Sequence, residues 1–117
     1  MSRDVRLYLE DIIESGTKIL NFTAHLNFEE FCSNTMVFDA VLYNLGIIGE
    51  AAKNVPPDIR SRYPEIEWRK IAGLRDVIAH EYFGLEVETL WDIVRNKITP
   101  LLEQTKHILE LEGKDIS

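Results

Sequence analysis

The sequence predicts an all-α fold, an antiparallel bundle of four long helices plus a short helix. The chain has 117 residues but only four prolines and six glycines, too few for a protein rich in strands and turns. Its apolar residues recur at spacings of three and four, the pattern of amphipathic helices. We expect a single domain over residues 1–117, since a chain of this length can bury a core without a disulfide or a metal.

Two long helices are predicted in the N-terminal half. The first covers about residues 2–24, where apolar side chains follow one stripe. The second runs from about 28 to 54 and begins after Asn27, a typical N-cap residue that Glu30 follows at the third helical position.

The second half of this second helix is apolar nearly all round. We therefore expect it to lie at the centre of the domain. Gly46 and Gly49 fall in this half, and both are expected to let another helix approach closely. The alternative is that the helix simply tolerates two glycines, at a cost of about 1 kcal/mol each.

The C-terminal half is divided by prolines and a glycine. Pro57 and the proline before it end the second helix, because proline lacks the backbone donor, and a short helical turn follows. A third long helix is predicted at about 66–81, before a break at Gly84. The fourth runs from about Glu86 to 111, and Pro100 is expected to kink or split it.

Composition also bears on where the protein acts. The single Cys32 can form no disulfide within the chain, which is typical of a reducing compartment. The most apolar run, residues 36–48, is interrupted by Asp39 and Asn44, so we expect it to be too short and too polar to span a bilayer. The N-terminus lacks the unbroken apolar region of a signal peptide. A cytoplasmic protein is expected.

The charge distribution is uneven. The net charge is −7, and an acidic protein is a poor general binder of nucleic acid, because affinity for nucleic acid comes largely from neutralising phosphates. Residues 60–75, however, carry five basic and two acidic side chains, a net charge of +3, so the rest carries −10. Either this is ordinary scatter of surface charge, or the segment binds RNA. The candidate RNA-binding residues are Arg60, Arg62, Arg69 and Lys70.

One arginine of the third helix lies in its apolar stripe. On a helical wheel with ~100° per residue, Trp68, Ile71 and Ala72 fall within about 60° of Arg75. A buried guanidinium is costly unless it is paired or reaches water. Arg75 therefore pairs with a buried carboxylate such as Glu50, extends to the surface, or meets a ligand in a cleft or subunit interface. The sequence leaves all three open.

His80 is the natural candidate for acid–base chemistry. It lies about 140° from Arg75 on an ideal helix and four residues after Asp76, whose carboxylate could orient the imidazole. For Arg75 and His80 to share a site, the helix must distort near its end, or residues from two protomers must converge. The three histidines show no metal-ligand spacing, and no glycine-rich phosphate loop is present, so catalysis here would be metal-independent.

These residues resemble a known family. Arg75, His80 and Tyr82 match the Arg-x4-His-x-Tyr motif of HEPN-domain proteins, and specifically of the HepT-like toxins. Three blocks carry the wider resemblance, in order and over nearly the whole chain: YNLGIIGEAAKNVP (43–56), WRKIAGLRDVIAHEYFG (68–84) and LWDIVRNKITPLL (90–102).

The resemblance implies a HEPN-like bundle that forms a homodimer, with a composite site where two motifs meet in a cleft. It implies a toxin that is a metal-independent endoribonuclease without a cofactor. Arg75 and His80 would be catalytic and Asp76 supporting. A cognate nucleotidyltransferase antitoxin would silence the toxin by transferring AMP to Tyr82. The alternatives are a non-catalytic regulatory partner of that transferase and, less favoured, a nucleotide-binding or structural bundle.

Overall fold

The computed structural model describes residues 1–80 and 86–113, with the backbone alone from 76 to 80. The described residues are helical and include no strand, which confirms the all-α prediction. In chain order the elements are α1 (Arg3–Thr23), α2 (Phe28–Ser33), α3 (Thr35–Asn54), α4 (Pro57–Arg62), α5 (Trp68–His80), α6 (Val87–Asp92), a π-helical segment (Ile93–Lys97) and α7 (Ile98–Gly113).

The predicted start of the second helix is confirmed in detail. The Asn27 side chain accepts a hydrogen bond from the Glu30 backbone N–H at 2.8 Å, and the Glu30 carboxylate accepts one from the Asn27 N–H at 3.0 Å. This reciprocal pair is a capping box, which satisfies two backbone donors that would otherwise lack a partner within the helix.

The prediction of one continuous helix from 28 to 54 is wrong, because the chain breaks at Asn34. This residue is extended, with φ −100° and ψ 90°, and it ends α2 and caps α3. Its side-chain oxygen accepts a hydrogen bond from the Val37 N–H at 3.1 Å. An asparagine that can satisfy the first turn of a new helix competes with continuation of the old one.

Helix α3 is the central helix, as predicted, and packs against both α1 and α5. Thr35–Asn54 is long enough and apolar enough to cross a membrane, so the expectation that residues 36–48 are too short and too polar to do so is wrong by those two criteria. A core helix meets the same criterion, and here Val41, Leu45 and Ile48 are almost completely buried within the domain. Burial in the core accounts for the apolar character of this helix.

The fourth predicted helix is interrupted by the π-helical segment Ile93–Lys97, whereas Pro100 itself lies within the first turn of α7. Leu90, Val94, Ile98 and Leu102 are all buried and are spaced by four residues each time. On a regular α-helix such a series drifts by about 40° per step. A π turn holds more residues and removes part of that drift. It also includes Asn96, whose carbonyl the proline ring would approach in a regular helix.

Two contacts place the first and last helices side by side and antiparallel. A Cβ on Gly16, in the middle of α1, would meet Leu102 of α7. Beyond the end of α1, the Leu26 carbonyl accepts a hydrogen bond from Arg95 of the π segment at 2.7 Å. The predicted short turn is α4. Gly84, where the sequence predicts a break, and residues 114–117 lie outside the described residues.

Candidate active site

The candidate site is built where α3 and α5 cross. A Cβ on Gly49 would lie 2.9 Å from the backbone nitrogen of Arg75 and 3.1 Å from the carbonyl oxygen of Ile71. Real Cβ atoms essentially never come as close as the first distance. Glycine is therefore required here for the two backbones to approach, as the sequence predicted for Gly49. The same expectation for Gly46 is wrong, since a Cβ there would meet no atom of the described residues within 4 Å.

The residue after Gly49 holds the arginine of the motif. The Glu50 carboxylate lies 2.7 Å from Nε of Arg75, and the two side chains are 47% and 46% exposed. Of the three alternatives left open by the sequence, the pairing with Glu50 is observed, but neither partner is buried and Arg75 also reaches the surface. Between half-exposed groups an ion pair contributes only about 0.2–1 kcal/mol to stability. Arg75 lies among apolar residues of α5 and still reaches solvent, because that face is only partly covered.

The backbone geometry separates Arg75 from His80. Helix α5 continues to His80, so the two residues are five positions apart on one helix and their Cα atoms lie about 140° apart around its axis. The side chains of Asp76 and His80 lie outside the part of the chain that the structure describes, and so does Tyr82. The helix is regular over its described residues, so one copy of α5 does not bring the Cα atoms of Arg75 and His80 to the same face.

Comparison with known proteins assigns the chain to a protein family. The model of the HepT-like ribonuclease family matches residues 12–108. The chain belongs to the HepT-like ribonuclease family. Membership supports a ribonuclease role and agrees with the resemblance of its motif.

Several relatives match the HepT-like chain over most of both lengths. "Putative RNase MJ0127" of Methanocaldococcus jannaschii is 40% identical over 97% of this chain and 94% of its own. "Probable ribonuclease HepT" of Thermococcus cleftensis is 44% identical over 86% and 92%. "Putative RNase TTE0752" of Caldanaerobacter subterraneus is 36% identical over 92% and 96%. No solved structure matches the chain.

The basic segment of the HepT-like chain is partly used by the fold itself. The Arg60 guanidinium donates to the backbone carbonyls of Val55 at 2.9 Å, Ala52 at 3.0 Å and Lys53 at 2.7 Å. These carbonyls lie at the C-terminal end of α3, where no further turn of helix supplies donors. Arg60 therefore caps α3 and fixes α4 against it.

The other three candidate RNA-binding residues differ in their contacts. Arg62 pairs with Asp58 at 3.3 Å and with Glu112 at 3.1 Å. Lys70 lies 2.7 Å from Glu67. Arg69 is exposed, and among the described residues its side chain has no hydrogen bond or ion pair. RNA binding by this segment stays a prediction, and Arg69 is the side chain that the fold uses least.

The pair at the start of α5 is also the place where titration is perturbed. The hydrogen bond from Lys70, and then its positive charge, hold the pKa of the Glu67 carboxyl below its ordinary value of 4.5. The same contact raises the pKa of Lys70. Both groups are at the surface, so this pair affects the ionisation of Glu67 and Lys70 but adds little to the stability of the fold.

Sequence reasoning missed a buried carboxylate near the end of α7. Glu112 is buried, and it accepts a hydrogen bond from the Tyr63 hydroxyl at 2.6 Å as well as pairing with Arg62. These residues are 49 positions apart in the chain, and no periodic pattern joins them. The contact fastens the end of α4 to the last helix. Among the described residues, no group of three or more His, Cys, Asp or Glu could hold a metal ion.

Proposed function

We propose that this chain is the toxin of a toxin–antitoxin pair and acts as a metal-independent endoribonuclease on tRNA or mRNA. The observation that carries the proposal is the ion pair of Arg75 with Glu50, in a member of the HepT-like ribonuclease family. It presents the motif arginine, half exposed, on a solvent-accessible face. An always-charged guanidinium in such a position suits a phosphate.

In the proposed reaction His80 takes the proton from a ribose 2′-hydroxyl, whose oxygen attacks the adjacent phosphorus. The bond from phosphorus to the 5′ oxygen breaks, and a second His80, from the other copy, protonates that oxygen. Arg75 stabilises the additional negative charge of the phosphorane. The products are a 2′,3′-cyclic phosphate and a 5′-hydroxyl. DNA, which lacks the nucleophile, is resistant. Asp76 orients His80.

The site is proposed to form between two copies of the chain. Since Arg75 and His80 lie on different sides of α5, a second copy is needed to bring one of each together. Helix α3 offers a surface for this purpose: Met36 is 84% exposed and Tyr43 is 71% exposed. Both share a seven-residue spacing with Glu50, so they follow the same side of the helix that leads to the site. A two-fold interface would double every such contact.

Regulation is proposed to act at Tyr82. A cognate nucleotidyltransferase antitoxin would transfer AMP from ATP to the tyrosine hydroxyl and release pyrophosphate. Tyr82 is seven residues after Arg75, two turns along the same face if the helical wheel extends that far. An AMP phosphate there would occupy the phosphate site and repel RNA. Intact mass after mixing with the transferase and ATP tests this, and a mass gain that survives Tyr82→Phe would refute the site.

The nuclease proposal is tested on total tRNA in EDTA. Wild type is expected to produce fragments with cyclic phosphate ends. His80→Ala is expected to produce none, whereas His107→Ala, which changes an exposed histidine of α7, is expected to cut like wild type. Dimer formation and thermal unfolding should be unchanged in both variants. Cleavage by well-folded His80→Ala would refute the assignment.

A second candidate function is a non-catalytic partner that binds and regulates the nucleotidyltransferase. The net charge of −7 favours it, together with the use of Arg60 and Arg62 within the fold. It predicts a protein that binds the transferase tightly but leaves RNA intact at any enzyme concentration. The tRNA assay with unmodified wild type separates the two functions.

A further inference from the structure

We infer that Glu50 is a positioning residue for Arg75, which it holds in the orientation needed to meet the scissile phosphate. The inference rests on the proposed ribonuclease function. It assigns a role to a side chain outside the Arg-x4-His-x-Tyr motif and on a different helix. Three features of the crossing between α3 and α5 carry it: the approach of the backbones, the atom of Arg75 that is contacted, and the exposure of both groups.

The approach of the backbones fixes where the carboxylate can reach. At Gly49 the backbone of α5 lies so near that a Cβ would be 3.2 Å from the Cβ of Arg75. Glu50 follows directly, on a helix whose neighbouring residues are buried in the core. Two packed helices, α3 and α5, rather than a loop, therefore hold its carboxylate beside Arg75. Groups positioned by helices hold a geometry more closely than groups on loops.

The contact atom is Nε of Arg75, at 2.7 Å from Oε2 of Glu50. An ion pair this close to Nε lies against one side of the guanidinium and restrains the rotation of the long side chain. A phosphate is bound bidentately by a planar fork of N–H donors, whose direction depends on that rotation. Restraint at Nε therefore fixes the direction in which the remaining N–H donors of the guanidinium point. Donors already oriented before the reaction act more strongly on a developing charge than donors that must be ordered during it.

The exposure of both groups argues against a mainly structural purpose. Arg6 and Glu10 on α1 form a pair of equal exposure, 50% for each side chain, at a longer distance of 3.4 Å. That pair lies on a single helix and joins no elements. Removing either pair should therefore have little effect on unfolding, and only removal of the Glu50 pair should alter catalysis. Glu10→Gln is the matched control.

Two substitutions separate orientation from charge. Glu50→Gln keeps an oxygen that can accept from Nε but removes a negative charge that repels RNA, so it is expected to lower KM while kcat falls less than about threefold. Glu50→Ala removes the acceptor as well, and its kcat is expected to fall by about tenfold or more, because a misplaced catalytic group costs rate. Glu10→Gln should change neither constant.

The Nε–H signal of Arg75 in a nitrogen–proton NMR spectrum gives a readout that does not depend on cleavage. It should be ordered and slow to exchange in wild type and in Glu50→Gln, and averaged and fast to exchange in Glu50→Ala. An unchanged signal in Glu50→Ala would overturn the inference, and so would equal kcat values for the Gln and Ala variants. Wild type that cuts no RNA would overturn the proposed function, whereas the NMR signal would still show whether Glu50 holds Arg75.

Discussion

Gly49→Ala is the substitution that most directly tests the crossing of α3 and α5. Its new methyl group would lie 2.9 Å from the Arg75 nitrogen and 3.1 Å from the Ile71 carbonyl oxygen. Both are backbone atoms of a helix, so relief requires the whole of α5 to move. We expect α5 to be displaced from α3, and Arg75 to be displaced with it from Glu50.

The magnitude follows from two opposing effects. Replacing glycine by alanine within a helix stabilises it by about 0.5–1 kcal/mol. Forcing an extra methyl group into a closely packed crossing costs about 1–3 kcal/mol. Gly46→Ala on the same helix brings the first effect without the second, since no atom in the described part of the chain lies within 4 Å of its new Cβ. The free energies of unfolding of the two variants should therefore differ by about 1–3 kcal/mol, with Gly46→Ala the more stable.

Urea unfolding followed by circular dichroism measures this difference, and thermal unfolding gives a second estimate at roughly 4 °C per kcal/mol for a chain of this size. The rate of RNA cleavage should fall because Arg75 is displaced from Glu50, so Gly49→Ala should be less active even under conditions where it is fully folded. Equal stabilities for the two alanine variants, or full activity of Gly49→Ala, would refute the close approach as the feature that places Arg75.

Other contacts make further predictions. Arg60→Ala should lower the free energy of unfolding by about 1–3 kcal/mol, because three carbonyls at the end of α3 lose their donor. Arg69→Ala should leave urea unfolding unchanged but reduce the salt dependence of RNA binding by a slope of about 0.7–1. Glu112→Ala should lower the free energy of unfolding by about 1–3 kcal/mol, since the buried Tyr63 hydroxyl loses the acceptor that Glu112 supplies, and Arg69→Ala is its control in the same measurement. The Glu67 carboxyl should titrate below 4.5 by NMR and return towards that value in Lys70→Ala. Because its pKa is lowered on folding, its small stabilising effect is present above about pH 4.5 and is lost as the pH falls through the folded pKa.

The sequence predicted the parts of the fold that depend on local patterns. The capping box at Asn27 is a signal within four residues, and the close approach at Gly49 follows from a glycine in a helix that is apolar nearly all round. The pairing of Glu50 with Arg75 was one of three alternatives that the sequence left open, offered because each is a charged residue in apolar surroundings and such residues need a partner.

The rest depends on contacts between distant parts of the chain or on competition between local signals. At Asn34 the apolar periodicity favours one helix and the capping residue favours two, and in the folded chain the cap prevails. Gly46 and Gly49 look alike in sequence, and only the position of α5 separates them. The partners of Glu112 come from α4, which no spacing within α7 can reveal. The exposure of Glu50 depends on how little of the neighbouring face of α5 is covered.

The π-helical segment has a consequence for how such chains can vary in length. It corresponds to one residue more than the α-helical path from Leu90 to Ile98 would need, and the core is arranged around that surplus. Deleting one residue between 93 and 97 would remove that surplus and let the helix continue regularly, with α7 left in its present register against α1. Deleting a residue from the regular part of α7 would instead rotate everything after it by about 100°, so that the buried side chains beyond the deletion turn away from α1. The π segment is therefore a place in this long helix where the chain can shorten by one residue while Leu102 continues to face Gly16.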